Sequence, residues 1–195
     1  MRCTYCYNPD IVFGKGKRRL SEALAFAESR KGLLDGVVMS GGECTLYKEI
    51  IPLAHALKAM GMKVKIDTNG SRPDRMRTLL MEQLVDYVSL DFKAMPGRFE
   101  MITHSDVYTQ FEETLDLLLC AGRPFEVRTT IHSSLLPDEE IRKMADQLVA
   151  RGYRGKYFLQ NFMNDTATVG DMDERHKRLS AFAYSGSAIE IVIRN

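Results

Sequence analysis

The chain has 195 residues, of which 45% are hydrophobic, enough apolar side chain for the core of one globular domain over residues 1–195. Its 27 basic and 26 acidic residues nearly cancel, which argues against a nucleic-acid or membrane-surface partner. We find no signal segment and no apolar run of membrane-spanning length, so we expect a cytoplasmic protein with reduced cysteines.

Short β-branched runs alternate with amphipathic stretches along the chain. The predicted strands are residues 36–39, 63–68, 87–92, 125–132, 157–162 and 189–194. The predicted helices are residues 19–34, 48–60, 74–84, 106–121, 138–151 and 171–183. Such alternation is typical of parallel β/α units. Because a closed barrel needs roughly 250 residues, we predict an α/β fold built as an open, partial (β/α)6 TIM barrel.

A cysteine pair stands at the start of the chain, in Cys3-Thr4-Tyr5-Cys6. Such a pair could be a thioredoxin-like redox motif or half of a zinc site. No second cysteine pair and no His-x3-5-His motif follows, and no predicted strand precedes Cys3, which weakens both of these interpretations. The pair alone is weak evidence, and it is the Gly-Gly-Glu run downstream that favours an iron–sulfur interpretation. Cys120 falls on the apolar face of a predicted helix, where we expect it to be buried.

The run Ser40-Gly41-Gly42-Glu43 follows the first predicted strand. In parallel α/β folds the carboxyl end of a strand is where ligands bind. The two glycines let a ligand approach the backbone, and the carboxylate of Glu43 suits a cationic amino group. The alternative is a tight strand-to-helix turn with an exposed glutamate.

Three later strands also end in, or contain, polar residues. Asn69 lies in an Asn-Gly dipeptide that forms turns in any fold, and Asp91 and Lys93 could be an exposed ion pair. Alternate residues of a strand face the same side, so Asp91 and Lys93 are expected to lie together. Arg128, inside a strand-like run, should pair with an acid or face a polar interior, because burying an unpaired guanidinium is costly.

Together these motifs resemble the radical S-adenosylmethionine (SAM) superfamily. Residues 2–9, Arg-Cys-Thr-Tyr-Cys-Tyr-Asn-Pro, are similar to the cluster loop of the activating proteins of anaerobic ribonucleoside-triphosphate reductase. That loop runs close to Cys-Asn-x-Arg-Cys-x-Tyr-Cys-x-Asn-Pro. The chain departs from the family in two places: Tyr7 stands at a position of the loop that is often His, and Cys44 follows Glu43 where the family usually has Pro. Cys3 and Cys6 match the second and third cysteines, so the first would lie two positions before Met1, and the first strand is expected to be missing.

The resemblance implies two cofactors, a [4Fe–4S] cluster and SAM. The implied metal ligands are Cys3 and Cys6. The implied SAM-binding residues are Gly41, Gly42, Glu43, Asn69, Asp91, Lys93 and Arg128. Gln160 and Asn161 are expected near the adenine or the methionine carboxylate. No catalytic side chain is assigned.

The resemblance further implies an oxidoreductase that forms a 5′-deoxyadenosyl radical and installs a glycyl radical on anaerobic ribonucleoside-triphosphate reductase. An electron donor such as flavodoxin or ferredoxin is the second expected partner, with no nucleic acid and no membrane. Two alternatives stay open. One is an N-terminally truncated, non-catalytic fragment of such an enzyme, and the other is a radical enzyme that acts on a small molecule.

Overall fold

The computed structural model describes residues 1–14, 16, 18–172, 175–177 and 188–194. The described helices are α1 (Pro9–Phe13), α2 (Leu20–Ser29), α3 (Ile50–Ala59), α4 (Pro73–Met81), α5 (Pro96–Thr103), α6 (Tyr108–Ala121) and α7 (Asp138–Ala150), with a 3-10 turn at Cys44–Leu46. The described strands are β1 (Gly36–Met39), β2 (Lys63–Thr68), β3 (Tyr87–Asp91), β4 (Phe125–Ile131), β5 (Tyr157–Asn161) and β6 (Ile191–Arg194). None of the helices in this described part is long and apolar enough to cross a membrane.

The strands form a parallel sheet in the order β1-β2-β3-β4-β5-β6. Parallel registers include Val37 opposite Val64 between β1 and β2, and Thr129 opposite Leu159 between β4 and β5. Parallel neighbouring strands need a crossover connection, and each connection between consecutive strands from β1 to β5 contains at least one helix. The predicted α/β fold, with the strand arrangement of a partial (β/α)6 barrel, is confirmed.

The chain divides into two compact units, each with its own set of buried side chains. The cysteine-loop unit comprises Met1–Val12, Asp91–Thr109 and Glu126–Asn195, and the glycine-loop unit comprises Phe13–Leu90 and Gln110–Phe125. Fully buried side chains of the cysteine-loop unit include Phe92, Phe99, Ile102, Tyr153 and Tyr157. Those of the glycine-loop unit include Leu57, Ile66, Leu79, Leu90 and Phe111.

Several predicted details differ from the structure. Helix α2 ends at Ser29 rather than at residue 34, because the chain turns at Gly32, which has φ +81°. Helix α5 was not predicted, although Pro96 stands at its first turn, where proline is favoured. Cys120 is exposed, so its predicted burial is wrong. The helix predicted at residues 171–183 lies largely outside the described residues.

Candidate functional site

The two cysteines of the N-terminal pair lie on one turn of the cysteine-loop unit. The backbone N–H of Cys6 donates to the carbonyl of Cys3 at 3.0 Å. The Cys3 side chain is buried and that of Cys6 is half-buried. Burial raises the pKa of the Cys3 thiol, and the nearby Lys93 ammonium offsets part of that effect. The turn therefore holds both thiols on one short loop.

A cluster of charged side chains lies in the same unit. The Lys93 ammonium donates to one carboxylate oxygen of Asp91 at 3.0 Å, and the Arg128 guanidinium donates to the other. The ammonium also lies 5.8 Å from the centroid of the Tyr5 ring, within cation–π range. The side chains of Asp91, Lys93 and Arg128 are 21%, 14% and 16% exposed, so the alternative of an exposed ion pair is wrong.

These neighbours fix the charge states of the cluster. Burial alone would raise the pKa of Asp91, but Lys93 and Arg128 outweigh it and hold that pKa below its ordinary value. Burial alone would lower the pKa of Lys93, but the Asp91 carboxylate holds it well above its ordinary value. At neutral pH the pair is therefore ionised, and Arg128 is paired with an acid as expected.

In the glycine-loop unit, the segment after β1 combines exposed backbone with a buried acid. Gly41 and Gly42 are exposed, and Gly41 has φ +127°, a conformation that side chains rarely adopt. Glu43, in contrast, is only 6% exposed. The alternative of an exposed glutamate is wrong, because the carboxylate turns inward and is held by the protein.

Glu43 accepts hydrogen bonds from three residues. One carboxylate oxygen accepts from the Thr45 N–H (3.1 Å), the Thr45 hydroxyl (2.5 Å) and the Thr68 hydroxyl (2.8 Å). The other oxygen accepts from the Asn69 N–H at 2.7 Å. A carboxylate offers about four acceptor positions, roughly two on each oxygen, so the second oxygen keeps capacity for one more donor.

Asn69 and Cys44 complete this arrangement. The side-chain oxygen of Asn69 accepts from the Ser71 N–H at 3.0 Å, and Gly70 has φ +76°, so the turn expected at Asn-Gly is present. The Cys44 thiol donates to the carbonyls of Met39 and Asp67, each at 3.4 Å, at the ends of β1 and β2. Burial raises the pKa of this thiol to about 12, so it is uncharged at neutral pH.

Comparison with known proteins decides the family. A family model described as the Radical SAM superfamily matches residues 1–148. The chain belongs to the radical SAM superfamily. A candidate glycyl-radical enzyme activating enzyme of Methanocaldococcus jannaschii is 30% identical over 151 residues, which are 74% of this chain and 62% of that protein.

The chain is also similar to a second curated protein and to a solved structure. A 7-carboxy-7-deazaguanine synthase of Koribacter versatilis is 41% identical over 75 residues, 37% of this chain and 32% of that protein. The crystal structure of Streptococcus suis SuiB bound to S-adenosylmethionine covers the whole chain and 47% of SuiB, with a TM-score of 0.74 and 12% identity. At that identity the likeness concerns the fold alone. The chain spans less than two thirds of the curated relatives described here.

Radical SAM proteins use a [4Fe–4S] cluster and SAM, so the cofactor prediction is confirmed for the family. The cysteine turn fits this cluster in donor type, because thiolates are its usual protein ligands. Within the described residues no group of three or more Cys, His, Asp or Glu side chains could hold a metal ion. Cys3 and Cys6 therefore remain the predicted cluster ligands, matching two of the three cysteines of the motif that the chain resembles.

The structure of this radical SAM chain also brings together two histidines that the sequence did not connect. His132 and His176, which lack metal spacing, lie with ring centroids 5.5 Å apart. The Ser133 N–H donates to Nδ1 of His176, so Nε2 of His176 carries its proton and donates to Asn161 at 2.8 Å. Asn161, expected near SAM, therefore has a protein partner.

The cysteine-loop unit also contains an open cleft of about 520 Å³. Its lining includes Phe162, Thr168 and Gly170. Asp165 and Arg175, which also line it, form a two-bond ion pair at 3.0 and 2.8 Å and so largely neutralise each other. The cleft wall is mostly polar, and Asp171, a second acidic residue of the lining, adds a negative charge beyond this pair.

Proposed function

We propose that the chain is a radical SAM activating enzyme that installs a glycyl radical on anaerobic ribonucleoside-triphosphate reductase. The observation that carries the proposal is the turn that holds Cys3 and Cys6 in the same unit as the half-buried Asp91–Lys93–Arg128 cluster. The similarity to an activating enzyme over 74% of the chain supports it.

In this proposal Cys3 and Cys6 ligate the [4Fe–4S] cluster as thiolates. When bound and reduced, the cluster supplies one electron that cleaves SAM into methionine and a 5′-deoxyadenosyl radical, which takes a hydrogen atom from a glycine of the partner. All four cysteines are free thiols, which suits the reducing cytoplasm in which we place the protein. Flavodoxin or ferredoxin is the proposed source of the electron.

We assign SAM binding to Gly41, Gly42, Glu43, Asn69, Asp91, Lys93 and Arg128. Lys93 is best suited to a carboxylate, because its ammonium has three donors and one is used by Asp91. Asp91 acts indirectly, since its two oxygens accept from Lys93 and Arg128 and thereby hold the ammonium in place. Glu43 can accept from an amino group through its less occupied oxygen.

The partner's glycine segment is proposed to enter the open cleft of the cysteine-loop unit. An extended peptide suits a wall that is polar and open, because its own backbone offers donors and acceptors without charge. A negatively charged small molecule is disfavoured, because Arg175 is already paired with Asp165 and Asp171 adds a further negative charge to the wall.

A second candidate is a radical SAM enzyme that acts on a small molecule. The 41% identity to a 7-carboxy-7-deazaguanine synthase favours it, although that match covers only 37% of the chain. The shorter overlap ranks it below the activating enzyme.

The deciding experiment combines the anaerobically reconstituted chain with SAM, dithionite and the reductase. We expect 5′-deoxyadenosine by chromatography and a glycyl radical on the reductase by electron paramagnetic resonance. Formation of 5′-deoxyadenosine without a radical on the reductase would favour the small-molecule candidate. If the chain is folded but forms neither product, the result would favour the alternative of a non-catalytic fragment.

A further inference from the structure

The cysteine loop is held from both sides by backbone hydrogen bonds. On one side, the N–H groups of Arg2 and Thr4 donate to the carbonyls of Thr103 and Ile102, at 2.9 and 3.0 Å. These carbonyls lie in the last turn of α5, where a helix leaves its carbonyls without helical partners. The helix end therefore fixes alternate residues of the loop.

On the other side, a distant segment completes the arrangement. The N–H of Val169 donates to the Cys6 carbonyl at 2.9 Å, and the N–H of Gly170 donates to the Thr4 carbonyl at 3.0 Å. The backbone of the loop is thus hydrogen-bonded to α5 on one side and to residues 169–170 on the other. Thr4 is bonded on both sides.

Gly170 comes so close to Thr4 that no side chain fits. A Cβ at Gly170 would lie 2.7 Å from Cγ2 of Thr4 and 3.2 Å from its Cα. Gly170 is not among the glycines with positive φ, so space, and not backbone conformation, requires glycine here. The Thr4 side chain has little freedom to yield, because its hydroxyl bonds His104 at 3.2 Å and lies 3.4 Å from the Ile102 carbonyl.

We propose that Gly170 is a positioning residue for the cysteine loop: its missing side chain lets residues 169–170 close on Thr4 and hold Cys3 and Cys6 on their turn. The metal-binding consequence rests on the proposed function, whereas the geometric statement does not. Gly170 acts on the two thiols through Thr4. It also lines the open cleft, so one segment borders both features.

A methyl group at Gly170 forces residues 169–170 away from Thr4. The two hydrogen bonds to the loop lengthen, and Cys3, now 7% exposed, becomes accessible. Replacing Thr4 by serine removes the Cγ2 atom that a new Cβ would strike and keeps the hydroxyl. Thr4→Ser should therefore relieve the effect of Gly170→Ala.

The test is iodoacetamide labelling of the cofactor-free chain, with each cysteine followed by peptide mass spectrometry. Cys120 is exposed and serves as the fast reference. Cys44, hydrogen-bonded in the glycine-loop unit, reports general unfolding. The variants are Gly170→Ala, Gly170→Ala with Thr4→Ser, and Gly97→Ala. Gly97 is the matched control, because a Cβ there meets nothing within 4 Å.

We expect Gly170→Ala to raise the labelling rate of Cys3 by about tenfold, because an extra carbon atom in a tight contact destabilises the closed arrangement that protects this thiol. The rates of Cys44 and Cys120 should not change, Thr4→Ser should restore slow labelling, and Gly97→Ala should match the parent. An unchanged Cys3 rate in Gly170→Ala overturns the proposal. If Cys44 labelling rises as well, the double variant decides: restored protection supports the contact, and lasting exposure overturns it.

Iron and sulfide content after anaerobic reconstitution gives a second readout. Gly170→Ala should bind less iron than the parent, and Thr4→Ser should restore the parent value. If the parent itself takes up no iron, the proposed function fails, while the labelling result still tests the contact. If labelling responds as expected but iron content does not, the metal-binding part of the proposal is overturned.

Discussion

Lys93 and Asp91 form an ion pair of 3.0 Å that is largely withdrawn from water and shared with Arg128. The two residues are separated by Phe92 alone, so both side chains point to the same face of the segment that ends β3. Removal of one partner from such a pair leaves an uncompensated charge, which costs far more than the loss of an exposed ion pair.

Asp91→Asn should therefore destabilise the fold by about 2 to 4 kcal/mol, because it leaves the Lys93 ammonium partly buried without its carboxylate. The free energy of unfolding, measured with urea, gives the value. Asp165→Asn is the control, since the Asp165–Arg175 pair is 70% and 74% exposed. That control should change stability by less than about 1 kcal/mol. Equal effects of the two substitutions would contradict the role of burial.

The same pair predicts a pH dependence. The folded pKa of Asp91 is held below its unfolded value of 3.8, so its ionisation stabilises the fold above that pH. This contribution is lost as the pH falls through the folded pKa. The stability difference between the parent and Asp91→Asn should then be constant near neutral pH and shrink below pH 3.8. A difference that grows on acidification would show that the sign is wrong.

Glu43→Gln should destabilise the fold by about 1 to 3 kcal/mol, the usual cost of an unsatisfied buried hydrogen-bonding group. The glutamine oxygen can accept from Thr45 and Thr68, but its amide NH2 then faces the N–H of Asn69. Urea unfolding measures the effect. Glu28→Gln, on an exposed residue of the same unit, should be nearly neutral. Equal stability of parent and Glu43→Gln would argue against this bonding.

Cys44 predicts a second pH dependence, at the alkaline end. Its folded pKa of about 12 lies above the ordinary value of 9.0, so the folded form keeps a proton that the unfolded form loses. The contribution of Cys44 to stability is therefore complete below pH 9.0 and falls as the pH rises. Urea unfolding between pH 8 and about 11 should show a steeper decline in the parent than in Cys44→Ala. Parallel declines would mean that folding does not raise the pKa of the Cys44 thiol.

Cys3→Ser and Cys6→Ser should each lower the iron bound after anaerobic reconstitution, because each removes one proposed thiolate ligand. Cys120→Ser is the matched control, because Cys120 is exposed and lies on α6, outside the cysteine loop. Iron analysis and visible absorbance provide the measurement. Iron binding that is unchanged in both loop variants would refute the assignment of these two ligands.

Short segments of the sequence determined much of this protein. All six strands lie within two residues of their predicted positions, because β-branched runs between turn residues specify strands locally. The family was also readable from two local motifs, the cysteine pair with its flanking residues and Ser40-Gly41-Gly42-Glu43. Each is encoded within a few consecutive residues, so no knowledge of distant contacts was needed.

Only the tertiary structure decided which of the polar residues are buried and with which partners. Glu43 is enclosed by Thr68 and Asn69, which follow it by more than twenty residues, and Thr4 meets Gly170 near the other end of the chain. The sequence around Glu43 is equally compatible with an exposed turn. Burial depends on which remote segments pack against a residue, and local periodicity carries no information about that choice.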